Sequence, residues 1–122
     1  MNAPTASFPV PSYLESPKEE VSATGAIGVT QRYIEYPDMS GGAITTTLPP
    51  AAEAAGLLFF FFLSDAAPTN AATITAASTD PFFPNFIGAT DNTSIALNEA
   101  KEWALLYSTG RYWVLVNSYE VP

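Results

Sequence analysis

Apolar positions in this chain recur mostly with a period of two. AIGVTQRYIEY (26–36) carries Ile27, Val29 and Tyr33 on one parity and Thr30, Arg32 and Ile34 on the other. AITTTL (43–48) keeps Ile44, Thr46 and Leu48 in phase, and AATITAAS (71–78) and TSIAL (93–97) are short runs of the same kind. Side chains of a strand point alternately to its two faces, and β-branched and aromatic residues favour that geometry. The pattern therefore predicts strands throughout. LLFFFFL (57–63) breaks the alternation. Seven residues are too few to cross a membrane as a helix, which needs about 20. As a strand it turns Phe59 and Phe61 to one face, and Phe60 and Phe62 to the other. Each large apolar side chain gains about 1.5–3 kcal/mol on full burial, so the run predicts a strand covered on both faces.

Turn chemistry punctuates these runs. PDMSGG (37–42) is a turn, Pro49 and Pro50 stop the next strand, and AAEAAG (51–56) suits one helical turn ending at Gly56. EWALLYSTGRYWVLVNSY (102–119) reads as a hairpin. Its arms are Trp103 to Tyr107 and Arg111 to Val116, with Ser108, Thr109 and Gly110 between them. About eight short strands separated by turns predict an all-β fold, a single antiparallel β-sandwich or barrel of jelly-roll-like kind.

Residues 1–22 differ. Pro4, Pro9, Pro11 and Pro17 remove amide donors and favour extended backbone, which predicts an N-terminal arm preceding a β domain over 23–122. Phe8, Val10, Tyr13 and Leu14 are apolar anchors along it, so Phe8, Pro9, Val10, Pro11, Tyr13 and Leu14 are candidates for lying on another surface. A solvated linker would be richer in Gly, Ser and charge. Residues 1–20 lack a basic start and a long apolar core, so no signal peptide is expected.

Composition narrows the chemistry. Twelve acids against four bases give a net charge of −8, which disfavours nucleic acid and anionic membrane surfaces as partners. Cysteine and histidine are both absent, which removes disulfides, thiolate chemistry and the usual general base and zinc ligand. Glu99 with Glu102, or Asp80 with Asp91, offer carboxylates for a glycosidase, but no spacing identifies a pair. Asp80, Asn85, Asp91 and Asn92 offer oxygen ligands for calcium without the calcium-loop pattern, and such residues serve turn geometry. No catalytic residue, metal site or cofactor is expected. Tyr107, Tyr112 and Trp113 form an alternative ligand platform, able to stack on a sugar, although Trp in a hairpin more often fills a core.

The order of segments carries a resemblance. ATGAIGVTQRYIEYPDMSGGAITTTL (23–48) opens with a TGAI-type strand and reaches T-x-L after a Gly-containing turn. LLFFFFLSDAA and TITAAS follow, and NEAKEWALLYSTGRYWVLV closes with a Thr-Gly turn and a Y-W-V strand. Over about residues 23–117 this resembles small β domains of tailed bacteriophages, which occur as capsid decoration (cement) proteins and as tail-fibre modules. The resemblance implies a non-enzymatic virion protein, made in the host cytoplasm and bound to the outer capsid surface. It implies a homotrimer that stabilises the expanded shell, with the major capsid protein as partner and the arm lying across capsid subunits. A tail-fibre or carbohydrate-binding module is the alternative. The four phenylalanines depart from the alternation such modules show. Phe59, Phe60, Phe61 and Phe62 are accordingly candidates for a subunit interface, with a covering arm or the loop TDPFFPNF (79–86) as other ways to bury the second face.

Overall fold

The computed structural model describes residues 18–77 and 94–119. Nine strands follow in order: β1 (Lys18–Glu20), β2 (Gly25–Ala26), β3 (Tyr33–Tyr36), β4 (Ile44–Thr47), β5 (Leu58–Leu63), β6 (Ala72–Thr75), β7 (Ser94–Leu97), β8 (Trp103–Ser108) and β9 (Trp113–Tyr119). They make two mixed sheets, ordered β1-β3-β5-β8-β9 and β2-β4-β6-β7. Among the described residues there is no helix, and neither sheet closes into a barrel. AAEAAG winds through a single helical turn, as expected, with Ala54 N–H bonded to Pro50 O at 3.3 Å and Glu53 N–H to the same oxygen at 2.9 Å. It ends, as its sequence suggests, at a glycine with φ of +82°.

The sheets do not have the expected antiparallel, jelly-roll-like order. Of the seven pairings among the described residues, four are parallel, so neither sheet is antiparallel. The cause is the path of the chain. Strands β1 to β6 alternate between the sheets, and each lands beside the strand two before it, running the same way. Parallel neighbours need a crossover of a dozen or more residues. Here the crossover is a strand of the opposite sheet. The two hairpin-type pairings that remain, β6 with β7 and β8 with β9, close the coil.

Alternation places one face of each sheet in a common core. Ile34, Tyr36, Phe59, Phe61, Leu63, Ala104, Leu106 and Trp113 come from the five-stranded sheet, and Ile44, Ala72, Ile74, Ile95 and Leu97 from the four-stranded one. Phe61 lies between Ile34 on β3 and Ala104 on β8, whose small side chain leaves room for the ring. Phe59 meets Trp113 edge to face at 5.3 Å. One polar bond links the sheets inside: Tyr36 O–H donates to Thr46 Oγ1 at 2.6 Å. Burial pushes the Tyr36 phenol pKa up despite that bond. Tyr36→Phe leaves a buried hydroxyl without its donor and is expected to cost about 1–3 kcal/mol, read from urea unfolding.

Lys18–Glu20 belongs to the five-stranded sheet as its edge strand, so this part of the 1–22 segment is built into the β unit. Val21 N–H donates to Glu35 O at 2.8 Å and its side chain packs on the core. The arm anchors Phe8, Pro9, Val10, Pro11, Tyr13 and Leu14, and the loop TDPFFPNF, lie outside the described residues.

Candidate interaction surface

The second face of the phenylalanine run is the outer face of the five-stranded sheet. Leu58, Phe60 and Phe62 point there from β5 and are half-buried, while Phe59, Phe61 and Leu63 are fully buried. Register decides what joins them. Phe60 is paired with Tyr33 on β3 and Leu105 on β8, Phe62 with Glu35 and Trp103, and Leu58 with Tyr107. Directly opposed residues on one face have their side chains within contact distance. The Tyr33 and Phe60 rings meet edge to face at 5.5 Å, Phe60 and Trp103 lie 5.7 Å apart, and Phe60 stacks with Phe62 at 6.4 Å. On β9, Val116 and Tyr119 are the exposed large apolar residues among those described.

Among the described strands of this sheet, charged side chains occur on β1 and β3 alone. β5, β8 and β9 contain no charged residue. On β1 and β3, Lys18 Nζ lies 2.8 Å from Glu35 Oε1 and 3.8 Å from Glu20 Oε2. Ser64 O–H donates to the second Glu35 oxygen. The Lys18 ammonium, and next the Ser64 hydroxyl, hold the Glu35 carboxyl below its usual 4.5. Lys18 is raised above 10.5, first by its hydrogen bond to Glu35 and then by that group's charge.

The signs follow. A carboxylate whose folded pKa is depressed contributes stability above its unfolded value, and that contribution is lost as pH falls through the folded value. A raised ammonium contributes below its unfolded value, and loses the contribution as pH rises through the folded one. Stability from this ion pair is therefore full near neutrality and decays on the acid side below 4.5. In urea unfolding, Glu35→Gln is expected to be less stable than the parent at neutral pH, and the gap should close in strong acid. A gap unchanged by acid would refute this role for Glu35.

The sequence-derived candidates divide on this geometry. Phe60 and Phe62 belong to the outer surface, whereas Phe59 and Phe61 are core and are removed from the candidate interface. The platform of Tyr107, Tyr112 and Trp113 does not assemble. Trp113 pairs with Ser108 on the buried face, while Tyr107 pairs with Val114 and faces outward. The hairpin turn places Gly110 at φ +97°, as its sequence predicts, and Tyr112 is half-buried beside it.

Glu102 is buried, and its Oε1 accepts from the backbone N–H of Asn98 at 2.7 Å and of Glu99 at 3.1 Å. That carboxylate shapes the turn into β8. Asp80, Asn85, Asp91 and Asn92 lie outside the described residues. Among the described residues there is no group of three or more metal-ligating side chains, and no helix is long and apolar enough to cross a membrane.

Tyr33, Trp103 and Leu105 are surface members the sequence did not single out. Trp103, Leu105 and Tyr107 do share a parity within their strand. That was the available signal, and only the pairing of β8 with β5 gives it meaning. No protein-family model matches the chain, and no curated protein matches it.

Proposed function

We propose that this chain is a structural virion protein, a decoration or cement protein that binds across major capsid subunits of a tailed bacteriophage and stabilises the expanded shell. It works on the outer capsid surface, as a homotrimer, and catalyses no reaction. Its two sheets are taken to stack as a β-sandwich-like module. The observation that carries the reading is the outer face of the five-stranded sheet, an aromatic surface without charge over three strands of a chain with net charge −8. Monomeric soluble proteins rarely leave a large contiguous apolar patch in water, and such patches mark association sites. The acidic remainder repels packaged nucleic acid and suits an outward-facing protein.

Stabilisation needs no chemistry. A protein that binds only the assembled lattice shifts its balance by RT ln(1 + [L]/Kd), about 2.7 kcal/mol at a hundredfold excess over Kd. Trimeric attachment multiplies this, because the second and third contacts become intramolecular. The test is co-sedimentation with expanded, undecorated phage shells, with light scattering on the free chain. The expected result is saturable binding at a fixed ratio to capsid subunits and a higher melting temperature of the shell. Shells that neither retain the chain nor gain heat resistance would overturn the reading.

A further inference from the structure

The outer aromatic face borders the point where the described chain begins. Lys18 starts β1, the edge of the five-stranded sheet, and its ammonium pairs with Glu35 on the outer side. The residues upstream of Lys18 therefore set out from the rim of that face.

Their chemistry matches it. Residues 1–14 have no charged side chain, and Phe8, Val10, Tyr13 and Leu14 are interleaved with Pro9 and Pro11. Such a segment favours the extended polyproline conformation. Aromatic-lined surfaces bind it readily because little backbone freedom remains to be lost. The face offers Tyr33, Phe60, Phe62 and Trp103, and no charge on the three strands beyond β3.

Reach is sufficient. Strands about 4.8 Å apart put β8 roughly 14 Å from β1. The four residue steps from Leu14 to Lys18 span up to about 14 Å when extended. A layer packed on a sheet sits about 10 Å above it, so Leu14 can stand over β3 or β5, and the residues from Tyr13 back to Phe8 can reach on over β8.

We propose that Phe8–Leu14 of the same chain lies across Phe60, Phe62 and Trp103 in the free protein, as an intramolecular cover of the outer face. This concerns the free chain, and holds or fails independently of any shell contact.

The chain has no cysteine, so Ser7→Cys gives a unique position for a nitroxide label on the full-length protein. With the label and 15N on one chain, the amide signals of Phe60, Phe62 and Trp103 are expected to lose most of their intensity. Those of Thr73 and Thr75 in the other sheet should lose less. Mixing labelled 14N chains with unlabelled 15N chains should leave the outer-face signals unchanged. Adding Phe8→Ser and Val10→Ser to the labelled chain should restore them. Intact signals in the first sample would overturn the proposal. So would equal loss in the mixed sample, which would assign the cover to a second copy. Full loss despite the two serines would overturn it as well, because proximity would then not depend on the apolar contact.

Discussion

Phe61→Ala is expected to lower stability by about 3–5 kcal/mol, and Phe62→Ala by about 1 kcal/mol. The two residues are neighbours of identical type, so the difference isolates the face each one occupies. Phe61 is fully buried between Ile34 and Ala104. Truncation there removes the transfer energy of a ring and leaves a cavity that a packed β core closes only in part. A domain of this size has about 5–15 kcal/mol in all, so the variant stands close to unfolding at ambient temperature. Phe62 is half-buried and keeps company with Phe60 on the outer face. Its loss should be felt chiefly in association with the shell. Urea denaturation measures both variants, and equal losses would mean that the outer face is packed as tightly as the core.

Removing residues 1–17 is expected to leave β1–β9 folded and to abolish shell binding. The cut belongs before Lys18. Extending it through residue 22 would delete β1, break the Lys18–Glu35 pair and strip Val21 from the core, so lost binding would then report a damaged sheet. Co-sedimentation with shells reads the effect, and circular dichroism confirms the fold. Unaltered shell occupancy by the shortened chain would defeat the role given to the arm.

The elements of this fold are legible in its sequence, and their partners are not. Ile44–Thr47, Leu58–Leu63, Ala72–Thr75 and Ser94–Leu97 fall where alternation and turn residues put them, and the final hairpin does so with a shifted turn: Ser108 ends β8, and β9 starts at Trp113 instead of Arg111. Each of those signals is local. Sheet order is set by contacts between distant residues, and short strands with turns between them suit neighbours in sequence as well as neighbours once removed. The winding is also hidden by unequal spacing. Lys18 aligns with Tyr33 and Tyr33 with Phe60, so the interval nearly doubles from one turn to the next.

The same limit governs the surface. Parity within β5 separates Phe60 and Phe62 from Phe59 and Phe61, but not which pair is core. Tyr36, Ile34 and Trp113 decide that by gathering on the side of Phe59 and Phe61. Residue type groups Trp113 with Tyr107 and Tyr112 as one platform, and strand parity sends it to the buried face instead.

The winding of β1 to β6 has a consequence for synthesis. A chain emerging from the ribosome can lay down β3 to β6 in turn, each against a strand already made. β5 is different, since its second neighbour is β8, which begins at Trp103. Until that strand arrives, LFFFFL stands at an open sheet edge with neither charge nor proline to guard it. Segments of that composition pair readily with copies of themselves. Translation pausing before Trp103, or a premature stop there, should therefore yield insoluble product. The C-terminal hairpin is thus the element that makes the nascent chain safe to release.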